Sequence, residues 1–88
     1  MKISIYKKGF TGRLFDVYTS DEFFKQEFVM KVSWNKIEFT RPTVDTKTKI
    51  RRASKNNKGF RFTIALDEDA CGKYDIEQDE DKLIVQLV

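Results

Sequence analysis

Seven cations fall between Lys47 and Arg61 with no acid among them: Lys47, Lys49, Arg51, Arg52, Lys55, Lys58 and Arg61, interspersed with Asn56 and Asn57. Ammonium and guanidinium groups at this density suit the phosphates of a nucleic acid, and guanidinium and amide groups can also pair with base edges. On that reading Lys47, Lys49, Lys55 and Lys58 contact phosphates, while Arg51, Arg52, Arg61 and Asn56 or Asn57 reach the bases. The plainer reading is a solvated loop whose charge keeps a sheet edge from aggregating. An acidic protein surface would suit the same stretch.

Other chemistry is hard to assemble from these residues. The chain has no His and a single cysteine, Cys71, so it offers no His-based triad, no His-based metal ligation, no zinc set and no intramolecular disulfide. No cofactor is expected. The acidic runs Asp67-Glu68-Asp69 and Asp79-Glu80-Asp81 lack the spacing of a calcium loop and read as solvated turns. Cys71 has only Lys73 nearby to lower its acidity and reads as packing. No glycine-rich loop cradles phosphate, and an enzyme is not expected.

Charge is divided along the chain. Residues 1–65 carry fifteen basic and six acidic side chains, and residues 66–88 carry two and eight. A domain polarised in this way can turn one face to an anionic polymer or dock by charge on another protein. With 88 residues and eight Phe, one domain with a modest core is expected, and burial on so short a chain favours a homodimer. No apolar run has the length of a membrane span or a signal peptide, and the single cysteine fits a reducing, cytoplasmic setting.

The elements that must position the cations are mainly strands. Ile3 and Ile5 alternate with Ser4 and Tyr6, Arg13–Thr19 is apolar and aromatic, and Gly9 and Gly12 lie between them, which predicts a β-hairpin. Lys7, Lys8 and Arg13 near its turn could add to a binding surface. Ser20-Asp21-Glu22 predicts the start of a short helix carrying Phe23 and Phe24, with Ser20 accepting from its free amides. From Phe28 the period becomes two, so Val29–Trp34 and Ile37–Thr40 form a second hairpin, with Phe28, Met30, Val32, Trp34, Ile37 and Phe39 in a core or dimer seam. Pro42 ends that hairpin and divides a β-rich extension, residues 1–45, from residues 46–88. A strand is expected over Lys49–Ala53, a loop over Ser54–Gly59, a strand over Phe60–Ala65, and one helical turn over Leu66–Ala70 closed by Gly72. Tyr74 and Ile76, then Leu83, Val85 and Leu87, define the inner faces of a last hairpin. The fold class is therefore mainly β, a β-rich α+β arrangement of antiparallel hairpins, with an interleaved dimer barrel as one form it could take.

From Lys49 onward the chain resembles the AbrB/MazE swapped-hairpin family. The resemblance rests on Lys49-Ile50-Arg51-Arg52, the turn at Lys58-Gly59 with Arg61 after it, and the strand ending at Ile64. It continues through the short acidic turn, Tyr74-Asp75-Ile76-Glu77 and Asp81-Lys82-Leu83-Ile84-Val85. It implies an interleaved homodimer that contacts DNA through its basic loop and strand. The expectation is a small non-enzymatic DNA-binding regulator or antitoxin-like factor acting through segment 47–61. The alternative is a phage or mobile-element interaction module that binds a host protein through its charged surfaces.

Overall fold

A computed structural model of the 88-residue chain describes residues 2–9, 13–67 and 69–87. Eight strands follow one another: β1 (Lys2–Lys7), β2 (Leu14–Thr19), β3 (Val29–Val32), β4 (Lys36–Thr40), β5 (Ser54–Asn56), β6 (Gly59–Ala65), β7 (Gly72–Asp79) and β8 (Lys82–Gln86). A 3-10 turn at Glu22–Lys25 is the helical element among the described residues. All eight strands join one antiparallel sheet in the order β3-β4-β8-β7-β1-β2-β6-β5. Pairs of strands from the two sides of Pro42 alternate in that order, joined where β1 pairs with β7, β2 with β6 and β4 with β8.

The alternation in sequence accounts for the inner face. Ile3, Ile5, Phe15, Val17, Phe62, Ile64, Ile37, Phe39, Leu83 and Val85 are buried, while their neighbours along each strand are half-buried or exposed. Phe39 on β4 and Phe62 on β6 lie five positions apart in the sheet, yet their rings are 5.8 Å apart. The sheet must therefore curl until these strands face one another. Phe24, on the 3-10 turn, fills the space between them and meets Phe28, Phe39 and Phe62 at 5.1, 5.0 and 5.2 Å. Each such ring pair contributes about 0.5–1.5 kcal/mol beyond its burial.

Two devices hold the curl. Phe28, one residue before β3, forms an antiparallel bridge with Arg51, three residues before β5, through amide–carbonyl bonds of 3.0 and 2.8 Å. The two edges of the sheet thus touch at one residue pair. The Arg41 guanidinium donates to the carbonyls of Glu27 (2.9 Å) and Phe23 and lies 3.9 Å from the centre of the Phe23 ring. It pins the start of the long 41–53 connection to the turn that carries Phe24.

Several local expectations change. The N-cap of the 3-10 turn is Asp21 rather than Ser20, because the Asp21 carboxylate accepts from the Phe23 amide at 2.9 Å. The strand expected at Lys49–Ala53 reduces to the bridge at Arg51, and β5 forms in the stretch read as a loop, leaving Asn57-Lys58 as a two-residue turn. Leu66–Ala70 makes no described helical turn; the Leu66 amide instead bonds the Arg13 carbonyl (2.9 Å) and prolongs the β2–β6 pairing. Trp34, expected in a core or seam, is 82% exposed at the β3–β4 tip, and Val32 is 40% exposed. Cys71 is exposed rather than packed. The tip of the first hairpin, residues 10–12, lies outside the described residues.

Candidate nucleic-acid interface

Segment 47–61 runs from the long connection, through the bridge at Arg51, into the β5–β6 hairpin. Gly59 is what allows this hairpin to sit close to the rest of the sheet. Its φ is +144°, and a Cβ there would lie 2.4 Å from the Thr19 carbonyl oxygen, so only a residue without a side chain fits. The turn itself is braced by the Asn56 side chain, whose Oδ1 accepts from the Lys58 amide at 2.8 Å. Lys55, Asn57 and Lys58 are exposed on it.

The three arginines are differently placed from the lysines. Arg51 Nη1 donates to the Thr63 carbonyl at 2.7 Å, Arg52 pairs with Glu27, and Arg61 lies 3.5 Å from Asp16. Each guanidinium therefore has a partner within the chain. Lys47, Lys49, Lys55 and Lys58 are exposed and, among the described residues, have no carboxylate within ion-pair distance. Lys49, Arg51, Arg52 and Arg61 come together around an open groove of about 540 Å³. Asn56, Asn57 and Lys58 line a second one of about 690 Å³, and Lys47 and Lys55 stand outside both.

The second groove also contains residues that reading the sequence for charge passed over. Its floor is the outer face of β1 and β2, where Ser4 pairs with Tyr18 and Tyr6 with Asp16. Tyr6 and Tyr18 are thus diagonal neighbours, with ring centres 5.7 Å apart and planes inclined at 62°. The signal was available in the alternation: both tyrosines fall on the polar phase of their strands, where a ring is left on the surface. Lys7, at the same end of β1, lies 3.7 Å from Asp69.

Among the described residues no group of three or more His, Cys, Asp or Glu side chains could hold a metal ion. The Cys71 amide donates to the Asp69 carboxylate at 3.0 Å and the thiol also bonds to it, which lowers the Asp69 pKa and raises that of Cys71. A thiol held protonated in this way is a poor nucleophile. The Tyr74 hydroxyl, pushed up by burial, donates to the Ala70 carbonyl at 2.6 Å and is taken up in local structure. No helix among the described residues is long and apolar enough to cross a membrane.

Fold and surface together define a small curled β-sheet domain with a lysine-bearing hairpin beside an aromatic outer face. Comparison with family models, with curated proteins and with solved structures finds no match for the chain.

Proposed function

We propose that this protein binds DNA through segment 47–61, with Lys47, Lys49, Lys55 and Lys58 neutralising phosphates. The observation that carries the reading is the contrast within the segment, where every arginine is held by a partner in the chain and these four lysines are not. A cation already engaged gains little by exchanging one partner for a phosphate, whereas a solvated lysine facing a polyanion releases condensed counterions. The likeness of residues 49–88 to the AbrB/MazE family supports the same reading. Base reading by Arg51, Arg52 and Arg61 would first require these arginines to leave Thr63, Glu27 and Asp16. The proposal therefore assigns the segment to affinity rather than to sequence choice. A titration across salt tests it: affinity should fall steeply as salt rises. No complex with either duplex or single strand below about 100 micromolar, the weak end of ordinary non-specific binding, would sink it.

A second reading is favoured by Trp34. An exposed tryptophan beside the exposed Val32, at the tip of a hairpin, is the residue type that anchors protein interfaces. On this reading the chain docks on a protein, either a host factor or a second copy of itself. Changing Trp34 to Ser should abolish that association, seen by light scattering or pull-down, and leave DNA binding intact.

A further inference from the structure

We propose that the outer face of β1 and β2 is a base-stacking platform, so that the occupant of the 690 Å³ groove is single-stranded DNA, with a base against Tyr6 and the phosphates beside it on the Lys58 turn. This rests on the DNA-binding reading and deepens it. Tyr6 is 50% exposed near the end of β1, where its backbone pairs with Asp16 of β2 one residue beyond the last β1–β7 pair, Ile5 with Gly72. Its contact with Tyr18 is edge-on, and in such a pair at least one ring keeps both faces clear of the other. A ring fixed at its root and open on its face loses little freedom when a base lies on it.

The surroundings suit an anionic strand. Lys58 and Asn57 form one wall of the groove and Lys7 part of another. The one carboxylate on its floor, Asp16, is already met by Arg61 at 3.5 Å and by the Thr63 hydroxyl at 3.2 Å, and its side chain is 15% exposed. Its charge is therefore compensated within the sheet. Most groups that could read a duplex through its major groove have partners within the chain: Arg51, Arg52 and Arg61 pair with Thr63, Glu27 and Asp16, and Asn56 braces its own turn. Lys7 is paired with Asp69, so what the groove leaves free is the Lys58 charge, the Asn57 amide and tyrosine surface. Bases in a duplex stack on each other and offer neither ring face to a protein, whereas unpaired bases offer both. The combination thus selects single strands and tolerates their sequence.

The test uses the full chain and three labelled probes followed by fluorescence anisotropy: oligothymidylate of about 16 nucleotides, the long end of the site sizes of small β-barrel binders, a duplex of equal length, and matched oligouridylate. Oligothymidylate should bind more tightly than the duplex. Tyr6→Ala should weaken it by about 5- to 150-fold, the range of one base–aromatic stack, with no change for the duplex. Tyr6→Phe, which keeps the ring, should bind as the parent does, and Lys58→Gln should weaken both probes alike. Equal binding of duplex and oligothymidylate by the parent, or Tyr6→Ala binding oligothymidylate as well as the parent, overturns the platform while the DNA-binding reading stands. Tighter binding of oligouridylate than of oligothymidylate overturns the choice of DNA. Absence of binding to any probe overturns the DNA-binding reading and the platform with it.

Discussion

Two of the hairpins have turns of the same length and opposite chemistry. In β5–β6 the turn is Asn57-Lys58, and in β7–β8 it is Glu80-Asp81. The cationic turn is built tightly. Asn56 braces it, and Gly59 brings its backbone against Thr19 and Ser20 of the neighbouring strand end. The acidic turn places Glu80 at φ +55°, a left-handed conformation that a side chain resists, within the run Asp79-Glu80-Asp81. One turn is positioned by packing. The other carries strain and mutual repulsion at the surface.

The largest effect should come from removing that close approach. Gly59→Ala puts a methyl group against the Thr19 carbonyl in a backbone region that is essentially glycine-only, and should cost about 3 kcal/mol or more by urea denaturation. A loss under about 1 kcal/mol would mean that the turn is held elsewhere. Next in size is the combined replacement of Lys47, Lys49, Lys55 and Lys58 by Gln. It should flatten the dependence of log affinity on log salt by about 3 for single strands, at about 0.7 per phosphate contact, while Glu80→Gln with Asp81→Gln leaves binding at least as tight. Equal effects from the two sets would erase the contrast. Smaller again, Glu80→Gly relieves the left-handed strain and should raise stability by up to about 1 kcal/mol, the reverse of the change at Gly59.

The smallest effect concerns pH. Glu38 on β4 has its pKa lowered from the usual 4.5, first by its hydrogen bond with Lys36, assisted by the charges of Lys36, Lys82 and Lys31. Because the folded value lies below the unfolded one, the stabilisation is present above pH 4.5 and is lost as pH falls through the folded value. Glu38→Gln should therefore lower the melting temperature slightly near neutrality and flatten its decline in acid, and identical melting curves for both proteins across that range would remove Glu38 from the balance.

Much of the sheet was legible because alternation and burial go together. Ile3 and Ile5, Phe60, Phe62 and Ile64, and Leu83 and Val85 all face inward as their spacing requires. β5 was not legible, since Ser54-Lys55-Asn56 is exposed throughout and becomes a strand only by pairing with β6. Lys49–Ala53 misled in the opposite direction: Ile50 supplied an apolar phase, but it is 45% exposed. Trp34 continued the period of Phe28, Met30 and Val32 past the point where the strand leaves the sheet, and periodicity cannot mark that point. At the candidate site the lysines were visible as a run without acids. The engagement of the arginines was not, because Asp16, Glu27 and Thr63 lie 12 or more residues away along the chain from the arginines they hold.

The backbone bridge between Phe28 and Arg51 makes the seam of the curled sheet one residue pair wide, with the Arg52–Glu27 ion pair beside it and the Arg51 side chain anchored to Thr63 of β6. Seams of this kind behave as clasps. In hydrogen–deuterium exchange the Phe28 and Arg51 amides should lose protection together and earlier than the interior amides of β1 and β2, each of which is flanked by paired strands. The connection bearing Lys47 and Lys49 ends at that clasp, so each unfastening lengthens the tether on which these lysines move.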